Sequence, residues 1–288
     1  MTIIEKIKQE NNPKNTILKY MEEYSEKTGR NCILYASEFL TKDSEEVNID
    51  LSDKVGFMSV IESLDKNKGL DLIIHTPGGS LDATESIIDY LHASFGEDIR
   101  AVIPQLAMSC GTMLACSCKE ILMANHSSLG PVDPQIIDIA AKNVKKEFDQ
   151  AKKEIEENPD LIPYWSILLD KYPLNFSVEC ENAIEWSENI LEKSLKYSMF
   201  KENRDKEKIE KIKHELITSE NIKDHSQNFS AEKCRKIGLK IKKLEDDEKL
   251  HELVLSIYYG TLSYFNLKKQ SKILINQKGI FQTYQKNE

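Results

Sequence analysis

Apolar segments of strand length alternate with helical segments between residues 31 and 124, and this alternation constrains the fold more than any other feature of the sequence. The predicted strands are 31–37, 70–74, 99–106 and 120–124, and the predicted helices between them are 53–67, 81–95 and 110–118. Strands separated by helices in this way are typical of βαβ units and a parallel sheet. The sequence therefore predicts an α/β core domain over residues 31–135.

The segments on either side of this core show mainly helical patterns. Residues 1–30 are predicted to form an N-terminal helical extension, and residues 136–216 a charged helical region. Residues 217–288 contain a short helix capped by Ser230 and closed by Gly238, followed by strand and helix patterns that are expected to complete the core. We predict a final strand at 273–275 and a tail from residue 279 onward.

The charge balance and hydropathy of the chain exclude two broad classes of protein. The net charge of −9 arises from 39 basic and 48 acidic residues that are interspersed, whereas a general nucleic-acid-binding protein carries a basic surplus. No uninterrupted apolar run reaches the roughly 18 residues of a membrane span, and the first residues lack the apolar run of a secretory signal. We therefore expect a cytoplasmic protein with no membrane span and no nucleic-acid partner.

The cysteines and histidines show no metal-binding or cofactor-binding spacing. The six cysteines are scattered through the chain, which favours free thiols over a disulfide framework. The C-x-C at 116–118 lacks a second pair, and the His-Glu pairs at 214–215 and 251–252 lack the second histidine of H-E-x-x-H. Phosphate-loop and dinucleotide-binding glycine patterns are also absent. We predict no metal and no cofactor.

The first chemically informative segment is a rigid turn between a strand and a helix. An apolar strand runs into His75 and is followed by Thr76-Pro77-Gly78-Gly79. Proline fixes one backbone torsion, and the two glycines let bare backbone approach another group closely, so that N–H groups face an anion. The alternative reading is a simple strand-to-helix turn.

The second informative segment places a serine at another strand-to-helix junction. Ser109 follows the apolar strand that ends near Leu106, and it precedes a helix of small residues that begins with Cys110-Gly111. A serine at this point lies beside unpaired N–H groups that stabilise developing negative charge. The alternative is an ordinary N-cap serine. Position 107 is alanine, so the segment is not the G-x-S-x-G elbow of α/β-hydrolases.

Together these turns resemble those of the Clp peptidase, the signal peptide peptidase A group and, most closely, the serine dehydrogenase proteinase family. The resemblance covers about residues 31–280. It rests on four segments, which are His75 to Gly79, Met108 to Thr112, Leu129 to Gln135, and the Asp224-His225 pair with the helix that ends at Gly238-Leu239.

The resemblance implies both a fold and an activity. The family fold is a ClpP/crotonase-like spiral of ββα units, here with an added helical region, and the family forms oligomers. Ser109 matches the nucleophile of a serine-type endopeptidase that acts through an acyl-enzyme. The amides of Gly78 and Cys110 match the oxyanion hole, with Gly79 in the same turn. The implied partners are a peptide or protein substrate and further copies of this chain.

The general base is where this sequence departs from the family pattern. The Clp peptidase carries a histidine in the region that reads Pro131-Val132-Asp133-Pro134 here. His225, close to the helix that starts after Ser230, and His75, beside the oxyanion turn, are the two candidates that we assign as catalytic. The alternatives are a downstream lysine, as in signal peptide peptidase A, or His126. Asp133 is a candidate to orient His225 or His75. The lysines at the right distance are Lys145, Lys146, Lys152 and Lys153.

Two further functions fit the same sequence features. Crotonase-type enzymes use paired amides to hold the enolate of a coenzyme A thioester, but they do not need a serine at position 109. A non-catalytic assembly or regulatory subunit would keep the turns and lose the base, as the missing histidine at 131–134 allows. The serine peptidase remains the leading prediction.

Overall fold

The fold is known from a computed structural model that describes residues 5, 7, 12–41, 45–137, 139–201, 205–220, 222 and 227–285. It confirms the predicted α/β class. The helices are α1 (Pro13–Thr28), α2 (Leu51–Glu62), α3 (Leu81–Phe95), α4 (Cys110–Cys116), α5 (Ala141–Glu157), α6 (Ile162–Leu169), α7 (Phe176–Ser194), α8 (Lys206–Lys213), α9 (Ala231–Ile237) and α10 (Glu248–Lys268).

The strands form one large sheet and two small ones. Those of the large sheet are β1 (Asn31–Ser37), β2 (Leu70–His75), β3 (Ile99–Ile103), β5 (Glu120–Met123), β10 (Ile241–Lys243), β11 (Gln270–Asn276) and β12 (Phe281–Gln285). The shorter strands are β4 (Leu106–Ala107), β6 (Ser128–Leu129), β7 (Gln135–Ile136), β8 (Ile139–Ala140) and β9 (Phe229–Ser230).

The large sheet has the strand order β10-β5-β3-β2-β1-β11-β12. The first five of these strands run parallel, as the alternation of strands and helices predicts. β11 and β12 are antiparallel to their neighbours. The sequence-based expectation of a tail from residue 279 onward is therefore wrong for 281–285, which add an edge strand to the sheet.

Helices cover both faces of this sheet. Along β2, Leu72 and Ile74 face the larger core cluster with α2, α3 and α4, and Ile73 faces the second cluster with α1 and α10. This alternation follows from the two-residue period of a strand, and a sheet buried on both faces has continuous apolar strands. The N-terminal helix α1 packs directly on α10.

The charged segment after residue 136 folds into helices that pack on the core. α7 contacts α3, α4 and α5, and its buried residues Ile190 and Leu191 join the larger core cluster. A third, smaller cluster of Val144, Phe176 and Cys180 holds α5 against α7. The helical region therefore covers the edge of the sheet at which α4 begins.

A buried lysine ties the C-terminal strand β11 to the segment before α2. Lys272 is 1% exposed, and its Nζ donates to Asn48 O at 2.9 Å, to Asp50 Oδ2 at 2.7 Å and to Asp53 Oδ2 at 2.9 Å. A buried charge is tolerated when it is paired and hydrogen-bonded in this way. The contact fixes the position of residues 48–53 relative to the sheet.

Two expectations from composition concern the cysteines and the membrane. All six cysteines are described, and each is a buried free thiol, as expected from the scattered pattern. Among the described residues, no helix has the length and apolar character to cross a membrane.

Candidate active site

The turns after β2 and after β4 lie side by side at the carboxyl edge of the large sheet. Met108 N–H donates to Thr76 O at 2.9 Å, and Thr76 N–H donates to Leu106 O at 3.2 Å. These bonds make a parallel bridge between Thr76 and Ala107. The bridge brings the glycines of the first turn alongside Ser109, so the two sequence motifs form one site.

Both glycines of the first turn are required by close contacts. Gly78 has a φ of +106°, and a Cβ there would lie 2.7 Å from Ser109 Cβ and 2.9 Å from Met108 O. Gly79 has a φ of +154°, and a Cβ there would lie 2.3 Å from Ile49 N. Since side chains rarely adopt these torsions and have no room here, only glycine lets the turn touch both Ser109 and Ile49.

Ser109 has an unusual backbone conformation at the start of α4. Its φ is 49° and its ψ is −118°, a region that costs a non-glycine residue about 1–3 kcal/mol. Such strained residues cluster at active sites, where the surrounding structure holds them. Within the described part of the chain, the Ser109 side chain makes no capping hydrogen bond to α4. Ser109 is therefore not the ordinary N-cap serine that the sequence allowed.

Two backbone amides beside Ser109 have unused hydrogen-bonding capacity. Gly78 N–H donates to Thr76 Oγ1 at 3.3 Å, and Gly78 O accepts from Ile49 N–H at 2.7 Å. In contrast, the N–H groups of Gly79 and Cys110 meet no acceptor among the described residues. The sequence assigned Gly78, Gly79 and Cys110 to the oxyanion hole, and among the described residues the hydrogen bonds leave the N–H groups of Gly79 and Cys110 without an acceptor.

These groups open into a cavity of about 460 Å³. Gly79, Ser109 and Cys110 lie on its wall together with the polar side chains of Asn48 and Gln135. The remaining lining is mostly apolar and includes Pro77, Leu81, Met113, Val132, Pro134, Ile136, Ala183 and Trp186. The volume and the few polar groups are typical of a pocket that binds part of a ligand.

The Cys110 thiol is a poor candidate for a nucleophile. Its Sγ donates to Gly79 O at 3.0 Å, and burial raises the pKa of the thiol above its usual range. A thiol rather than a thiolate is therefore present at neutral pH, and the thiol is a weak nucleophile. Cys110 contributes its backbone N–H to the site.

His75 lies outside the cavity, in the interior of the protein. Its ring is fully buried and packs 4.8 Å from the Phe39 ring and 5.1 Å from the Tyr258 ring, measured between centroids. Burial lowers the pKa of His75 to about 4. The structure therefore brings His75 near the turn in sequence but does not bring its side chain to the lining around Ser109.

Of the downstream lysines, Lys145 and Lys146 line a neighbouring groove of about 820 Å³ between α5 and α7, whereas Lys152 and Lys153 lie further along α5. Lys145 lies 3.8 Å from Glu181, and Lys146 lies 3.9 Å from Glu220, each distance joining Nζ to a carboxylate oxygen. Asp133 is buried and accepts from Gln135 Nε2 at 3.3 Å. These groups do not line the cavity around Ser109.

The two other histidine candidates have different outcomes. His225 lies outside the described residues. His126 is exposed, and its Nε2 lies 3.0 Å from Pro104 O, away from the lining around Ser109. Among the described residues, the cavity lining contains no histidine, lysine, aspartate or glutamate.

Sequence reasoning missed the residues that shape the cavity from a distance. Ile49 holds the glycine turn through its N–H and carbonyl groups, and Trp186 contributes a wall from α7. No local pattern connects these positions with Ser109. Gln135, in contrast, lies within the Leu129 to Gln135 motif and was within reach of a sequence-based prediction.

Comparison with protein families agrees with this geometry. A profile described as ClpP-like SDH-type serine proteinase matches residues 45–262, a range that includes Ile49, both turns and α10 up to its penultimate turn. The match therefore covers the whole cavity lining.

Two curated proteins of Methanocaldococcus jannaschii are similar to the chain, and both are named as uncharacterized. MJ0137 is 29% identical over 193 residues, which cover 67% of this chain and 60% of that protein. MJ1495 is 30% identical over 139 residues, which cover 43% of this chain and 47% of that protein. The chain thus spans 60% or less of the length of these relatives.

Proposed function

Because the chain belongs to the ClpP-like SDH-type serine proteinase family, we propose that it is a serine endopeptidase with Ser109 as its nucleophile. One observation carries the proposal. Ser109 is held at a positive φ on a cavity wall that also includes Gly79 and Cys110, whose N–H groups meet no acceptor among the described residues. A nucleophile beside available N–H donors is the arrangement that acyl transfer requires.

The chemistry follows from these positions. Ser109 Oγ attacks the carbonyl carbon of a peptide bond, a base takes the hydroxyl proton, and the carbonyl oxygen becomes an anion held by the two amides. The C–N bond then breaks as the leaving amine takes up a proton, and water hydrolyses the resulting ester. Loss of one oxyanion donor typically lowers kcat by about 10²–10³-fold.

We assign the base to His225. The described segments on either side of this residue approach the cavity wall. Val132 N–H donates to Leu216 O at 2.7 Å, and Phe229 pairs with Leu129 in the small sheet.

A fluorophosphonate probe tests the nucleophile directly. We expect covalent labelling of the wild-type protein at Ser109, none in Ser109→Ala, and full labelling in Ser166→Ala, which alters an exposed serine of α6. Mass spectrometry of the modified peptide locates the adduct. The proposal fails if wild-type protein is not labelled or if Ser109→Ala is labelled to the same extent.

A non-catalytic subunit is the second candidate, and the absence of a charged or imidazole side chain from the described cavity lining favours it. It predicts a folded wild-type protein that the probe does not label. Circular dichroism on the same samples separates this outcome from loss of folding.

We further propose a cytoplasmic homo-oligomer that acts on peptide or protein substrates. The helical region exposes large apolar side chains, which include Ile162, Ile167 and Leu174 at 49%, 68% and 89%. Association between copies would cover such a surface. Light scattering at micromolar concentration is expected to give a mass well above the 33.1 kDa of one chain. A monomer would contradict this assignment, and Ile167→Asp is expected to weaken the assembly.

A further inference from the structure

Three potential metal ligands from distant parts of the chain meet beyond the ends of β5 and β10. His126 lies in the turn after β5, Glu245 lies in the single 3₁₀ turn Leu244–Asp246 after β10, and His251 lies in the first turn of α10. The two strands are parallel neighbours, so their carboxyl ends reach the same edge of the sheet. One ligand atom from each of the three side chains lies within 4.8 Å of the other two.

The hydrogen bonds around the cluster leave one coordinating atom on each side chain. His126 Nε2 lies 3.0 Å from Pro104 O. A carbonyl oxygen only accepts, so Nε2 carries the hydrogen and Nδ1 keeps its lone pair. Glu245 Oε1 accepts from Asn125 N–H at 2.7 Å, so Oε2 is the carboxylate oxygen that remains available for coordination.

Two of these coordinating atoms are shielded from water. Glu245 Oε2 and His251 Nε2 are buried and have no hydrogen-bond partner among the described residues. A buried polar atom without a partner is costly, and native proteins rarely keep two in one place without a ligand. The pair therefore points to a bound species that accepts both lone pairs.

We propose that His126 Nδ1, Glu245 Oε2 and His251 Nε2 bind a divalent transition-metal ion of the zinc class. Two imidazoles and one carboxylate are a recurrent ligand set for such ions. The hydrogen bonds from His126 to Pro104 and from Asn125 to Glu245 supply the outer contacts that orient metal ligands. Exposed His126 leaves room for water as the fourth ligand.

The required movement is small. A tetrahedral site with bonds of about 2.1 Å separates its ligand atoms by about 3.4 Å. The ligand atoms that already lie within 4.8 Å of one another would close by about 1.5 Å, and rotation of the exposed His126 side chain can bring its coordinating nitrogen towards the ion.

The ion would have a structural role that reaches the candidate active site. The turn that carries His126 is bonded to the segment between β3 and β4, because Ser128 N–H donates to Gln105 O at 2.7 Å. That segment leads through β4 to Ser109. A metal at the cluster would join this turn to α10 and would stiffen the support of the nucleophile. This inference is independent of the proposed peptidase activity, and it departs from the sequence-based expectation of no metal.

Zinc titration of the full chain tests the site. The protein is first stripped with a chelator, and isothermal titration with zinc chloride then gives the affinity and stoichiometry. We expect one saturable ion per chain in the wild type and binding at least 10-fold weaker in His251→Ala and Glu245→Gln. His214→Ala, which alters an exposed histidine elsewhere, is expected to bind as the wild type does.

Glu245→Gln keeps an oxygen for Asn125 N–H, so this variant decides the matter if His251→Ala does not fold. The absorption spectrum of the cobalt-substituted protein gives a second readout, since tetrahedral cobalt with nitrogen and oxygen ligands absorbs in the visible range. The proposal is wrong if the wild type shows no saturable zinc binding. It is also wrong if the folded variants bind zinc as tightly as the wild type.

Discussion

His75 and Ser109 lie close to the ends of neighbouring strand segments, yet packing gives them opposite properties. His75 ends β2 and is enclosed by Phe39 and Tyr258, and its burial lowers its pKa to about 4. Ser109 follows β4 and lies on a cavity wall at a positive φ. The first residue is buried inside the protein, and the second lines a cavity.

Proximity in sequence to the glycine turn does not make His75 a catalytic partner of Ser109. His75 directly precedes the glycine turn that touches Ser109, but its ring packs among aromatic rings rather than on the cavity wall. A general base needs both a pKa near the working pH and a path to the nucleophile. Burial removes both from His75.

The largest effect that would sharpen this contrast is expected from His225→Ala. When groups act as one catalytic unit, removal of any one of them lowers the rate nearly as much as removal of the nucleophile. We therefore expect the labelling or hydrolysis rate to fall by about 10⁴-fold or more. The wild-type rate is expected to rise with pH around an imidazole pKa of about 6.5. The rate of the variant is expected not to show this rise.

His214→Ala is the control for this measurement, because it removes an exposed histidine that does not line the cavity around Ser109. A His225→Ala protein with a normal rate and an unchanged pH profile would break the assignment. The search for the base would then move to the lysines of α5, beginning with Lys142.

Gly78→Ala is expected to have the next largest effect. The added Cβ would lie 2.7 Å from Ser109 Cβ and would displace the nucleophile, and a displacement of about 1 Å costs about 100-fold in rate. Gly29→Ala is a matched control, since Gly29 also has a positive φ but has no atom within 4 Å of the added Cβ. Gly29→Ala is expected to lose about 1–2 kcal/mol of unfolding free energy from its backbone torsion alone, Gly78→Ala to lose more because its Cβ also overlaps Ser109, and only Gly78→Ala to lose activity per folded molecule. Equal activity in the two, by probe labelling of folded protein, would show that the turn is purely structural.

Local patterns in the sequence predicted the parallel part of the fold. The apolar runs at β1, β2 and β5 and the Ser230 and Gly238 caps of α9 are local signals, and each is present in the structure. Edge strand β12 was missed because its pairing with β11, rather than its composition, makes it a strand.

The candidate site was predictable only in part, for a related reason. The glycine turn and Ser109 each lie in a local sequence motif. The choice between the Gly78 and Gly79 amides, however, depends on which N–H group already has an acceptor. The wall at Trp186 depends on the packing of α7 over α4. Such contacts join positions far apart in the chain, and no spacing rule encodes them.

His75→Phe tests the role of the buried histidine. This substitution is expected to affect stability rather than activity. The unfolded chain takes up a proton on His75 near pH 6.5, but the folded protein does so only near pH 4. This group therefore lowers stability progressively as the pH falls from about 6.5 to 4, by up to about 3 kcal/mol.

Denaturant unfolding at a series of pH values measures this effect. We expect His75→Phe to lack that share of the acid-induced loss, and exposed His214→Ala to retain it. Labelling of Ser109 at pH 7 is expected to be unchanged in His75→Phe. A loss of labelling without unfolding would contradict the structural role of this histidine.

The smallest effect is expected from Cys110→Ala. The backbone N–H remains, and only the thiol bond to Gly79 O is lost, which corresponds to a change of less than about tenfold in rate. The labelling rate of Cys110→Ala is compared with that of the wild type, and Ser109→Ala serves as the unlabelled control. A Cys110→Ala protein as inactive as Ser109→Ala would show that the thiol takes part in the reaction.

The buried contact of Lys272 has a consequence for the timing of biosynthesis. The glycine turn is anchored by Ile49, and Lys272 fixes the segment that carries Ile49 through Asn48 and Asp50. A ribosome translates Lys272 long after Ser109 has left the exit tunnel. The nascent chain therefore carries the proposed nucleophile before its glycine turn is anchored, and it is expected to stay inert towards neighbouring polypeptides until β11 has been made.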